Sequence, residues 1–221
     1  MSETPLKAQI FPVTPYQQNC SIVWCTRTMR AAVIDPGGEV GRLQSAMTAL
    51  GVSLEKVLLT HGHLDHASGA AKLARDAGVP IEGPHPDDLF LLEDLGRNAR
   101  RPGFTDAESC LPDRWLADGD QVRFGEVEFG VRHCPGHTPG HIVFFHTGAR
   151  IAFVGDVLFA GSVGRSDLPR GNHLQLVESI TERLWPLGDD MRFVPGHGQM
   201  STFGWERKCN PFVSDLALGR A

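Results

Sequence analysis

The stretch Leu58-Leu59-Thr60-His61-Gly62-His63-Leu64-Asp65-His66 packs three histidines and one carboxylate into the six residues from His61 to His66. Val57-Leu58-Leu59 before it reads as a short buried strand. Ala67 to Ala77 after it, rich in Ala with Leu73 inside, reads as a helix. The polar groups therefore sit on a strand-to-helix turn. His61 and His63 are two apart, so an extended backbone carries both imidazoles on one side. Asp65 and His66 follow where the chain turns into the helix and face a neighbouring point. Neutral imidazole and carboxylate suit zinc, iron or manganese. The turn reads as one wall of a two-metal site, which the rest of the chain must complete.

Bulk composition narrows the setting. The 221 residues, 41% of them hydrophobic, are enough for one domain with a substantial core. The formal charge is −5, and the densest basic patch is only Arg97, Arg100 and Arg101, which argues against a nucleic-acid partner. Five cysteines (Cys20, Cys25, Cys110, Cys134, Cys209) form no CxxC pair, so free thiols in a reducing cytoplasm are expected. Met1-Ser2-Glu3-Thr4-Pro5 lacks the basic and apolar regions of a secretory signal, and no apolar run is long enough to cross a bilayer.

Outward from the turn, strands come in two batches. The first comprises residues 7–13 (an edge strand holding Pro12), 20–25 and 31–34, followed by a helix over 40–50 that Gly51 stops. The second comprises 121–124, 127–131, 142–145 and 151–154, a helix over 173–184, a strand at 191–194, and one helix from Thr202 onward. Between them, residues 84–117 are rich in Pro and charge. They read as a helix near Leu89 to Leu95 plus a long loop, of the kind that covers sites or runs over the surface. Each batch with its helix outside makes an α/β fold, a four-layer αββα sandwich.

Three further turns end a strand in a ligand-type residue: Cys134-Pro135-Gly136-His137, Gly155-Asp156 and Pro195-Gly196-His197. Open α/β sheets place ligands at the carboxyl ends of their strands. Asp156 alone reads equally well as a turn residue or helix cap. His133 and His141 compete with His137, which is preferred for its place after Pro-Gly. His85, His146 and His173 read as ordinary surface or turn histidines, and Cys134 as a buried thiol.

Taken in order with Asp35 of Ile34-Asp35-Pro36-Gly37-Gly38, these motifs resemble the metal-binding motifs of the metallo-β-lactamase superfamily from residue 35 to 198. The resemblance implies that His61, His63 and His137 hold one metal, that Asp65, His66 and His197 hold a second, and that Asp156 bridges them. Zinc is expected first, with iron and manganese compatible. It further implies that Asp35 and Thr60 orient ligands by hydrogen bonds and that Asp65 acts catalytically on a metal-bridging hydroxide.

Asp156 to Asp167, Asn19, and Glu206-Arg207-Lys208-Cys209-Asn210-Pro211-Phe212 resemble the glyoxalase II (hydroxyacylglutathione hydrolase) group, in its small single-domain branch. A thioester such as S-D-lactoylglutathione is the implied substrate and small-molecule partner, and Arg165 a candidate substrate contact. Only 24 residues follow His197, so the expectation is a single domain over 1–221 without the C-terminal helical domain that holds glutathione in longer relatives. A single-iron persulfide dioxygenase resembles the chain around Gly164-Arg165-Ser166-Asp167 and uses the equivalents of His61, His137 and Asp156. Hydrolysis of another ester or a lactone is a further alternative.

Overall fold

The structure, a computed structural model, describes residues 4–98 and 101–220. Met1, Ser2 and Glu3 of the N-terminal stretch and Arg100 of the basic patch lie outside the described residues. Strands β1 (Leu6–Val13), β2 (Gln18–Cys25), β3 (Arg30–Ile34), β4 (Ser53–Leu58) and β5 (Ile81–Glu82) form one sheet in that order. β1 to β3 pair antiparallel, whereas β3, β4 and β5 run parallel. Helices α1 (Val40–Leu50), α2 (Leu64–Ala67) and α3 (Ala70–Ala77) belong to this half, and α4 (Leu89–Asp94) follows it.

The second sheet contains β6 (Gln121–Phe124), β7 (Val127–His133), β8 (Ile142–His146) and β9 (Ile151–Gly155). A small ribbon of β10 (Leu158–Phe159) and β11 (Ser162–Val163) comes next, then α5 (His173–Glu178), β12 (Arg192–Pro195), β13 (Ser201–Thr202) and α6 (Phe203–Cys209). The sheet order is β13-β12-β9-β8-β7-β6, with β12 parallel to β9 and the other pairs antiparallel.

Side-chain alternation along the strands makes the four layers. In the first sheet Ile22, Trp24, Val33 and Val57 pack under Leu43 and Met47 of α1 and Leu73 of α3. The intervening Val23, Ala32, Ile34 and Leu58 face the other sheet and meet Phe124, Phe129, Phe144 and Phe153. Ala152, Val154 and Phe193 turn outward against Leu176, Ile180 and Phe203. Strands buried on both faces are apolar at nearly every position, as parallel-sheet strands are.

Three sequence expectations change. The helix expected over Ala67 to Ala77 is two helices, broken at Ser68-Gly69. Gly69 lies so close to the first sheet that a Cβ there would sit 2.6 Å from the Pro36 carbonyl oxygen, which its own N–H bonds at 2.8 Å. The helix over 173–184 is α-helical to Glu178 and continues as a π-turn over Ser179–Leu184. The tail is not one helix. It ends at Cys209, because Asn210 precedes Pro211 and is held extended at φ −69°, ψ 125°.

All five cysteines are free, with only Cys209 exposed. Among the described residues no helix is long and apolar enough to cross a membrane.

Candidate metal centre

β3, β4, β7, β9 and β12 all end at one edge of the sandwich, and the residues just past them converge there. Asp35 follows β3, the His61–His66 turn follows β4, His137 follows β7, Asp156 follows β9 and His197 follows β12.

Hydrogen bonds fix which nitrogen each ring turns inward. His61 Nδ1 lies 3.0 Å from the Thr60 hydroxyl oxygen, which itself donates to Asp35 Oδ2 at 2.6 Å. His66 Nδ1 donates to the same Asp35 oxygen at 2.9 Å. His137 Nδ1 donates to the Arg165 carbonyl at 2.7 Å, and His197 Nδ1 to the Tyr16 carbonyl at 3.0 Å. The Nε2 atoms of all four therefore face the site, and in the neutral rings they are the atoms with lone pairs. His63 presents Nδ1 instead, 3.0 Å from His61 Nε2 and 2.9 Å from His137 Nε2.

A second group forms beside this three-nitrogen set. His197 Nε2 lies 3.1 Å and His66 Nε2 3.7 Å from Asp65 Oδ2. Each set meets the spacing that one ion requires. Asp156 lies between them, with Oδ1 3.3 Å from His66 Nε2 and Oδ2 3.5 Å from His137 Nε2 and 3.7 Å from His197 Nε2. Buried His66 Nε2 and Asp156 Oδ1 are close yet make no hydrogen bond. Orphaned buried acceptors of this kind, in an imidazole and carboxylate set, fit divalent cations.

Close packing holds the site in shape. A Cβ on Gly196 would fall 2.0 Å from Asp156 Oδ1 and 2.6 Å from His66 Cε1. Gly155, at φ +48°, lets the chain turn under Thr60 and His141 without such a clash.

The charges follow the geometry. Burial pushes the Asp156 carboxyl upward, but His66, His137 and His197 outweigh it and hold the group far below the usual carboxylate range. Burial is likewise outweighed at Asp65, where His66 and His197 lower it. Burial opposes the charged form of His66, yet Asp156 and Asp65 raise its pKa well above the ordinary value. A proton on His66 thus offsets carboxylates that a metal cation would neutralise. Burial and His137 push His63 down to about 3, so it stays neutral and able to ligate.

His141 and His133 take other roles. His141 Nε2 accepts the Asp156 backbone N–H at 3.0 Å, and its ring stacks on His61 at 4.5 Å. It steers Asp156 and His61 rather than joining either set. His133 donates from Nε2 to the Pro139 carbonyl and stacks on His85. Those two rings lie parallel within 15°, and with Asp87 their ligand-type atoms form a further group within the spacing of one ion, separate from the two sets above. Cys134 is fully buried, and burial pushes its thiol far up.

A cleft of about 570 Å³ opens over the site, with His137, Asp156 and His197 on its floor. Phe159, Val163 and Ala160 give it an apolar wall, and Ser162, Arg165 and Gln199 a polar one. The Arg165 guanidinium is exposed and bonded to Asp167 at 2.8 and 2.9 Å. Arg207 is occupied by Asp215 and Asp189 away from the cleft. Among the described residues none of 84–117 lines the cleft. What that segment contributes is a carboxylate behind the site, Asp88, which the sequence reading missed.

The tail acts from behind as well. Buried Glu206 accepts the Gly161 N–H at 2.8 Å, the Ser201 hydroxyl at 2.5 Å and Asn210 Nδ2 at 2.9 Å. Asn210 Nδ2 also donates to the Ser162 carbonyl at 3.0 Å. The β10–β11 ribbon, which forms the cleft wall, is thereby anchored to α6.

Comparison with known proteins adds to this geometry. The sequence model of the metallo-beta-lactamase superfamily matches residues 13–197. The hydroxyacylglutathione hydrolase GloC of Haemophilus influenzae is 44% identical over 210 residues, covering 95% of this chain and 99% of that protein. The crystal structure of BLEG-1, a B3 metallo-beta-lactamase, superposes with a TM-score of 0.85 at 30% identity, over 94% of this chain and 99% of that one. That of TTHA1623 in a di-iron-bound form gives 0.80 at 39% identity, over 91% and 99%.

Proposed function

Because the chain belongs to the metallo-β-lactamase superfamily and is a glyoxalase II-like metallohydrolase, we propose that it hydrolyses the thioester bond of a hydroxyacylglutathione such as S-D-lactoylglutathione. The observation that carries this reading is the placement of Asp156, whose two oxygens reach both ligand sets on the floor of an open cleft. The similarity to GloC supports the choice of substrate.

In this reading His61, His63 and His137 hold one divalent ion, Asp65, His66 and His197 hold the other, and Asp156 holds both. Zinc is the ion proposed, and iron and manganese suit the same donors. Two such ions supply a water acidified toward a pKa of ~7 and polarise the carbonyl under attack.

The chain's own groups do the rest. Asp65, kept ionised by His66 and His197, accepts a hydrogen bond from the attacking water and orients it. The apolar wall of Phe159 and Val163 keeps bulk water from the acyl carbon, and Arg165 meets the charged end of the thiol portion. The oxygen of water joins the acyl carbon, the C–S bond breaks, the sulfur takes the electron pair, and the two protons of the water pass to solvent, from which the thiolate takes one back according to pH. A thiolate whose thiol has a pKa near ~8.5 departs without a proton donor, so no general acid is needed.

Metal-loaded protein incubated with S-D-lactoylglutathione tests this reading. Free thiol should appear in step with acid, without consumption of oxygen. Oxygen uptake with glutathione persulfide and one iron per chain, with no thiol release from the thioester, would instead favour the dioxygenase alternative.

A further inference from the structure

Asp88 stands in the 3-10 turn Pro86–Asp88, outside every loop that carries a candidate ligand, and is fully buried. Its oxygens accept three hydrogen bonds. Oδ2 takes the Gly62 N–H at 3.0 Å and the Thr138 hydroxyl at 2.8 Å, and Oδ1 takes the Gly140 N–H at 2.6 Å. Gly62 separates His61 from His63, and Thr138 directly follows His137. One carboxylate thus ties together two turns from different sheets. Between them, those turns supply all three nitrogens of the first ligand set.

The fit leaves little freedom. A Cβ on Gly140 would lie 2.5 Å from Asp88 N and 2.7 Å from its Oδ1, and one on Gly62 would lie 2.7 Å from Leu91 Cβ. Glycine at both positions lets the turns close on the carboxylate. Among the described residues no basic side chain is a hydrogen-bond partner of Asp88, and a buried charge without a counter-ion is costly. Asp88 therefore depends on its three donors, and they on it.

We propose that Asp88 is a positioning residue for the three-nitrogen site. It fixes the distance from the His61–His63 turn to the His137 turn, and so sets that site's metal affinity while leaving the Asp65–His66–His197 site alone. The proposal rests on the reading of these residues as metal ligands. The selectivity follows from connectivity, since all three bonds run to the turns of the first set. Asp65, His66 and His197 are oriented by Asp35, Asp156 and the Tyr16 carbonyl instead.

The test compares wild type, Asp88→Asn and Thr138→Val. Each is stripped of metal and titrated with zinc against a chromophoric chelator, with the histidine rings followed by NMR. Wild type should take two ions. Asp88→Asn should bind one of them about 10–100-fold more weakly, the usual loss when a group orienting a ligand is replaced. The His63 and His137 rings should respond only at that weaker step, and the other ion should bind as before. Thr138→Val, which removes one donor, should show the same selectivity to a smaller degree.

A purely structural role would lower the melting temperature of the metal-free variants and leave both affinities unchanged, and that result overturns the proposal. Equal weakening of both sites overturns it too. If Asp88→Asn does not fold, Thr138→Val decides by the same criterion. A wild type that takes up no metal removes the metal-centre reading along with this one. Two ions bound normally by every variant removes this one alone.

Discussion

Asp35 Oδ2 accepts a hydrogen bond from His66 Nδ1 at 2.9 Å, and the same oxygen accepts the Thr60 hydroxyl that supports His61. One carboxylate therefore orients a ring from each ligand set. Asp35 pays for this with backbone strain, since it sits at φ +51°, a region that non-glycine residues seldom occupy. Its other oxygen accepts the Thr60 N–H at 2.7 Å.

Asp35→Ala should weaken both metal sites, each by about 10–100-fold. It should also destabilise the metal-free protein by about 1–3 kcal/mol, because the buried Thr60 N–H loses its acceptor. Chelator competition and thermal melting measure the two effects. Loss at one site only would show that the Thr60 relay does not orient His61.

Asp156→Ala removes a carboxylate that lies within 3.7 Å of nitrogens from both sets. Both ions should be lost together on metal analysis. A variant that kept one ion at full affinity would contradict a bridging role.

Glu206→Ala should free the β10–β11 ribbon from α6, because Gly161, Ser201 and Asn210 all donate to this buried side chain. The expected outcome is a raised KM for the thioester with two ions still bound and kcat little changed. That pattern separates an effect on the cleft wall from one on the metal centre. A loss of metal would refute the separation.

The metal-free protein should lose stability in acid through His63. Its pKa is lowered to about 3 in the fold by burial and His137, against about 6.5 in the unfolded chain. Unfolding therefore takes up a proton between those values. Stability is fully present above about 6.5 and falls as the pH drops toward 3. Melting curves across this range should be less steeply pH-dependent in His63→Gln than in wild type. An equal dependence would sink the assignment.

The layers and the ligand-bearing turns were legible because both depend on local pattern. Strands such as Ile151 to Val154 are apolar on both faces, and each candidate ligand follows a strand end marked by Gly or Pro. Asp88 was not legible. Pro86-Asp87-Asp88 reads as a turn with acidic residues, and its partners lie 26, 50 and 52 residues away, two of them backbone groups without side-chain signature. The break before α3 was hidden in an Ala-rich run for a similar reason. What stops the helix is the approach of Gly69 to Pro36, which no local pattern records. The tail motif carries only a resemblance in the sequence, and its purpose lies in the bond between the Gly161 N–H and Glu206, 45 residues apart.

A two-metal thioester hydrolase needs both ions for turnover. Thiol release from S-D-lactoylglutathione, followed while metal is titrated into the stripped protein, tests it most directly. Activity should rise with the metal and reach its plateau at two equivalents per chain. Two equivalents bound with no thiol released would contradict it.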